Sequence, residues 1–227
     1  MERRNFLAGI AAMEMAAAES DSVYIPERHK VTDPKVLSAF MQEFAFADLI
    51  TAVSGIRVTH IPVVFEPVEG KHGKIIGHVS KANPQHETFT GTHDAVIVFH
   101  GPHSYISPNW YKSPGPAVPT WNFAAVHASG KPKSVTDDAQ VAKLLEHLVA
   151  KFESYQGTGW DLAKLPESYK KGLRQGIVAF EMEIENLEGK FKLGLERSAA
   201  DRAGVLEALK TAKQERTLYE LTKERAG

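Results

Sequence analysis

The feature that most limits the fold is a run of short strand-like segments packed closely together along the first half of the chain, with turn residues between them. Leu49 to Val53 is closed by Ser54-Gly55, and Arg57 to Phe65 by Glu69-Gly70 and Lys71-His72-Gly73. Lys74 to Ser80, Ala95 to Phe99 and Thr120 to Ser129 follow, the last ending at Gly130-Lys131-Pro132. No helical crossover alternates with these runs, so a barrel or sandwich is favoured over a parallel α/β sheet.

Helices flank this β region. Asp33-Pro34 supplies an N-cap with proline at the first helical position. Val36, Leu37, Phe40, Met41 and Phe44 then recur at helical spacing. Thr136-Asp137-Asp138 caps a second helix with Val141, Leu144, Leu145, Leu148, Val149 and Phe152 on one face, broken at Gln156-Gly157-Thr158-Gly159. Leu165-Pro166-Glu167 starts a third, running to Gly172 or slightly beyond. Val178, Phe180, Met182 and Ile184 alternate with Ala179, Glu181, Glu183 and Glu185, which predicts a strand with one buried and one acidic face. Leu187-Glu188-Gly189 is expected to turn that strand into Lys190-Phe191-Lys192-Leu193. Ser198-Ala199-Ala200-Asp201 reads as a capping box for the last helix. The expectation is one α+β domain over residues 23–227, with a C-terminal helical extension.

The 227 residues are 43% hydrophobic and carry a formal net charge of −1, so no global field draws the chain to nucleic acid or an anionic membrane. With no cysteine, disulfides, thiol catalysis and cysteine-ligated metals are excluded. The N-terminus admits two readings. Arg3-Arg4, a short apolar stretch and a small-residue ending resemble a twin-arginine export signal, which would make the protein periplasmic. Glu14 within the apolar stretch suits a frayed amphipathic helix or disordered extension instead, with a cytoplasmic protein. The stretch is too short to anchor the chain across a bilayer. Residues 1–22 are set outside the fold under either reading.

The chemistry-bearing residues concentrate in one block. Phe99 to Tyr111 and Val118 to His127 mix histidines, hydroxyls, an amide and aromatics among prolines. Such a block either lines a pocket, where rings stack on a planar ligand and Thr or Asn aim hydrogen bonds, or forms a rigid loop packing its own aromatics. A second cluster, Gly77 to Gln85, sets Lys81 and Asn83 at a strand end. It can hold a phosphate or simply form a solvated turn. A third, Thr59-His60-Ile61-Pro62, lies in an apolar strand.

Taken in order, Tyr24-Ile25-Pro26, Thr59-His60-Ile61-Pro62, Gly77 to Gln85, Phe99 to Tyr111 and Pro119 to His127 resemble the PaiB family of FMN-binding negative transcriptional regulators. Gly189 to Leu193 and Arg197 through Val205 match its C-terminal pattern. The resemblance spans about Val23 to Val205. It implies a split β-barrel related to pyridoxamine-phosphate oxidases and flavin reductases, usually a homodimer with FMN at the subunit interface. It places His60 and its strand beside the flavin ring, with Thr59. Lys81, Ala82 and Asn83 would lie near the phosphate. Thr120, Trp121 and Asn122 would supply hydrogen bonds and stacking, and Lys192 and Arg197 further phosphate contacts. Three functions follow. The first is an FMN-binding protein, with an exported flavin-dependent oxidoreductase as its enzymatic form. The second is a DNA-binding repressor, which charge does not support and export would contradict. The third is a haem- or metal-binding split barrel, suggested by ten histidines and the His100-x-x-His103 pair.

Overall fold

The computed structural model describes residues 23–68, 72–113 and 115–212. The two readings of residues 1–22 fall outside the described residues. The strands form a nine-stranded antiparallel sheet in the order β3-β2-β6-β7-β9-β5-β4, with β1 and β8 also paired to β9. In chain order the elements are β1 (Lys30–Val31), α1 (Pro34–Glu43), β2 (Phe46–Thr51), β3 (Arg57–Pro62), β4 (Val64–Glu66) and β5 (Lys74–Ser80). Then come β6 (Ala95–Ile106), β7 (Thr120–Gly130), β8 (Lys133–Val135), α2 (Asp138–Gln156), α3 (Glu167–Gln175), β9 (Ile177–Lys192) and α4 (Ala199–Leu209).

The helix ends obey local chemistry. Asp33 accepts a 2.8 Å hydrogen bond from the Lys35 amide at the start of α1. Asp137 caps α2 through the Gln140 amide, and Gly157 ends it in the left-handed conformation that glycine adopts at least cost. Ser198 caps α4 by accepting from the Asp201 amide at 3.1 Å.

Three elements differ from the sequence expectation. The predicted strand from Arg57 to Phe65 is two, because Val63 leaves the ladder and its amide bonds the Ala45 carbonyl. The strand predicted to stop at Phe99 runs on to Ile106. Gly101-Pro102 is absorbed where the β6–β7 register shifts between His100 and His103, a bulge that spares Pro102 the need to donate. The predicted turn at Leu187-Glu188-Gly189 does not exist, and β9 is one strand of 16 residues. Gly189 is needed there for space: a Cβ would lie 2.4 Å from Leu37 Cδ2 and 2.9 Å from the Val31 carbonyl oxygen.

The length of β9 joins the halves of the sheet. Ile177 to Glu183 pair with β5, while Ile184 to Lys192 pair with β7. The curled sheet encloses one core of Leu49, Ile75, Ile97, Phe99, Val126, Phe180 and Met182, closed by Leu37, Phe40 and Met41 of α1. Each such side chain stabilises the fold by about 1.5–3 kcal/mol. A second cluster packs Val141, Leu144 and Leu148 of α2 on Val64, Ile76 and Ala179. This is a split β-barrel with flanking helices. Among the described residues, no helix is long and apolar enough to cross a membrane.

Candidate functional site

The ends of β6, β7 and β9 meet one face of α4 around a cavity of about 580 Å³. Thr120 and Asn122 of β7, Lys192 of β9 and Arg197 before α4 all line it. Lys192 Nζ donates a 2.6 Å hydrogen bond to Thr120 Oγ1. The Arg197 guanidinium lies 4.5 Å from the centre of the Tyr111 ring, a cation–π contact that fixes its plane. Val118, Leu193 and Leu195 give the cavity an apolar wall.

The α4 end of the cavity is held in place by Asp201. Its carboxylate accepts from the Ser113 amide at 2.7 Å and the Lys112 amide at 2.8 Å. Those amide bonds, Ser113 first, hold its carboxyl below the ordinary range against the opposing effect of burial. Arg202 Nη1 donates to the Leu195 and Arg197 carbonyls, which ties the loop to the helix. Gly204 lets α4 approach closely, since a Cβ there would lie 2.2 Å from the Trp110 carbonyl oxygen. Trp121, between Thr120 and Asn122 on β7, does not line the cavity; alternation turns it to the other face of the strand, where its ring lies 5.6 Å from His103 and 6.4 Å from Tyr105.

The other candidate residues form a separate group. Thr59 accepts a 2.8 Å hydrogen bond from Asn83 Nδ2 and donates to Gln85 Oε1. Asn83 also caps the short helical turn Pro84–Thr88 by accepting from the Gln85 amide. Gln85 is fully buried and donates to the Leu49 and Arg57 carbonyls and to Thr51 Oγ1. Thr59 and Asn83 thus serve a structural network that pins the turn to β2 and β3. Lys81 and Ala82 are exposed just before it, with the Lys81 amide bonded to the Gly176 carbonyl.

His60 is exposed and paired through Nδ1 with Asp48 Oδ1, while His100 Nε2 lies 2.9 Å from Asp48 Oδ2. Burial pushes the Asp48 carboxyl up, but the hydrogen bonds from His60 and His100 outweigh it and hold the pKa below its ordinary value. Asp48 is the contributor that the sequence reading missed; Tyr111, Asp201 and Gly204 lie in stretches it singled out without giving them a role in the site. Among the described residues, no group of three or more His, Asp or Glu side chains is arranged to hold a metal ion.

Strand register separates the two groups within one chain. Thr59 lies level with Leu49 and Ile97, whereas Thr120 lies level with Ile106, nine residues further along β6 (106 − 97 = 9). At strand rise that is up to about 30 Å.

The fold defines the class as a split barrel. Among solved structures, the flavocytochrome Anf3 from Azotobacter vinelandii superposes with a TM-score of 0.55 at 16% identity, covering 81% of this chain and 80% of that chain. The FAD- and haem-binding protein from Mycobacterium smegmatis gives a TM-score of 0.55 at 15% identity, covering 77% and 78%. At these identities the likeness is one of fold. In sequence, residues 23–186 match the profile of the family described as "Putative FMN-binding domain". Protease synthase and sporulation protein PAI 2 of Bacillus subtilis is 35% identical over 190 residues, 82% of this chain and 89% of that protein. An uncharacterised protein of Aspergillus fumigatus is 30% identical over 234 residues, 82% of this chain and 90% of its own length. The chain belongs to the PaiB-type family of FMN-binding-domain proteins.

Proposed function

We propose that the protein binds FMN in the cavity at the ends of β7 and β9, as a homodimer whose second copy completes the site. The observation that carries this reading is the convergence of Thr120 and Asn122 with Lys192 and Arg197, from two stretches of chain far apart in sequence, on one 580 Å³ cavity. The donor set fits the group. Lys192 and Arg197 offer charge-assisted hydrogen bonds to a phosphate, Thr120 and Asn122 can bond ribityl hydroxyls, and the apolar wall suits a planar ring. Bound FMN supplies the redox chemistry of its ring system, and the chain supplies position and charge around it. Lys192 is already oriented by Thr120, so little side-chain freedom is lost on binding.

The register supports the dimer. Thr59 lies far along β6 from Thr120 in the same chain, and a second copy docked on β2 and β3 would bring its own copy of this group towards the cavity. The surface of β2 and β3 suits such a contact, since it exposes Phe46 and Val58 around the Asp48–His60 pair. Exposed apolar side chains that association would bury are what such a surface needs.

Purified protein titrated with FMN tests the reading. Saturable quenching of flavin fluorescence at tens of micromolar or below is the expected result. Free flavin recovered unchanged at that concentration contradicts it.

A further inference from the structure

The cations around the cavity differ in what already occupies them. Lys192 is bonded to Thr120, and Arg202 to two backbone carbonyls. At a smaller cavity of about 450 Å³ between α2 and α3, Arg174 is held by Asp138 at 2.9 Å and Glu167 at 3.0 Å. The guanidinium of Arg197 makes no hydrogen bond and no ion pair among the described residues. Glu196, its neighbour in the chain, is exposed, lines the same cavity and is not paired with it. What holds Arg197 is the ring of Tyr111, 4.5 Å away. A guanidinium over a ring face keeps its donors in its own plane, as a fork ready for two oxygens.

The ring that holds it is fixed in turn. Both neighbours of Tyr111 are tied to α4. The Trp110 carbonyl lies against Gly204, where a Cβ would be 2.2 Å from its oxygen. The Lys112 amide donates to Asp201, as does that of Ser113. The Ser113 and Ser198 hydroxyls are 2.8 Å apart. Arg197 directly precedes Ser198, the cap of α4, so the ring and the guanidinium rest on one base.

We propose that Tyr111 is a positioning residue that sets the preference of the cavity for a phosphorylated flavin, by holding Arg197 open for a bidentate contact with the phosphate. The role rests on the reading of the cavity as an FMN site. Without the ring, Arg197 regains its rotamers and can turn to Glu196, and both must be reversed before a phosphate binds. Riboflavin has the same ring system and side-chain hydroxyls but no phosphate, so its affinity is independent of Tyr111.

The test titrates FMN and riboflavin, by flavin fluorescence, into the full-length protein and its Tyr111 variants. The unaltered protein prefers FMN. Tyr111→Phe keeps that preference within about two-fold, since phenylalanine retains the ring face. Tyr111→Leu reduces it by about three- to ten-fold through weaker FMN binding alone. In an Arg197→Gln background Tyr111→Leu has no further effect on the preference. Phenylalanine analogues with one to five ring fluorines, placed at position 111, keep the ring and withdraw the negative charge of its face. The preference should decline step by step along that series, which a purely structural role would not produce, and the series decides if Tyr111→Leu does not fold. A preference for FMN that survives Tyr111→Leu, or stays level across the fluorinated series, overturns the role of Tyr111 alone. Equal weakening of FMN and riboflavin by Tyr111→Leu also overturns it, since Tyr111 would then act on the part the two flavins share. If the unaltered protein shows no preference for FMN, the phosphate reading of the cavity fails first and this role with it.

Discussion

Lys192 Nζ, near the end of β9, donates a 2.6 Å hydrogen bond to Thr120 Oγ1 at the start of β7. This contact draws the ends of two central strands into one polar corner of the larger cavity. Lys192→Met keeps the length of the side chain and removes its charge. FMN affinity should fall by about ten- to a hundred-fold, the value of one charge-assisted hydrogen bond. Thr120→Val should cost less, because Lys192 keeps its charge and loses only its orienting partner. Fluorescence titration of both variants measures the order.

Gly204 sets how closely α4 packs on the Trp110 turn. Gly204→Ala places a methyl group against the Trp110 carbonyl oxygen, a backbone atom that cannot swing aside. The helix must move, at a cost of about 1–3 kcal/mol. Thermal unfolding should report the loss of stability, and FMN titration a weaker site, since Arg197 and Arg202 travel with the helix.

Gln85 is a buried hub. Gln85→Leu preserves volume but strips the Leu49 and Arg57 carbonyls and Thr51 of their donor. Leaving buried acceptors unpaired should destabilise the protein by about 1–3 kcal/mol in urea unfolding. Because Thr59 and Asn83 join the same network, Asn83→Ala should lower stability more than it lowers FMN affinity.

Asp48 predicts an acid limit. Its pKa is below the ordinary 3.8, so its contribution to stability is present above that value and is lost as the pH falls through the lower folded value. Asp48→Asn should flatten the pH dependence of unfolding below about pH 4. Denaturant midpoints across that range provide the check.

Val58 is half-exposed on β3 beside the Asp48–His60 pair. Val58→Asp should leave the fold intact and shift the protein to monomer in light scattering. In that variant FMN affinity should fall as well, because the proposed site draws on both copies.

Local signals carried the helices. Asp33-Pro34, Asp137 and Ser198 each cap the helix they precede, since a cap depends only on residues a few positions away. The strands were legible where alternation was clean, as in Phe180 to Glu185. They were misread where a local breaker met a tertiary reason to continue. Gly101-Pro102 became a bulge in β6, and Gly189 became clearance for Leu37 and Val31. Within the candidate site, Thr120, Asn122, Lys192 and Arg197 were named from the sequence and share one cavity. Thr59, His60, Lys81 and Asn83 stand apart from it in a single chain. Asp48 was missed because its partners lie 12 and 52 residues away, a distance no local pattern spans.

The most direct test of the central claim compares FMN with riboflavin, which lacks only the phosphate. If Lys192 and Arg197 hold that phosphate, the unaltered protein should bind FMN at least about a hundred-fold more tightly, and Lys192→Met should erase most of the difference. Equal affinity for the two flavins, or a preference that survives Lys192→Met unchanged, would contradict the assignment of the cavity.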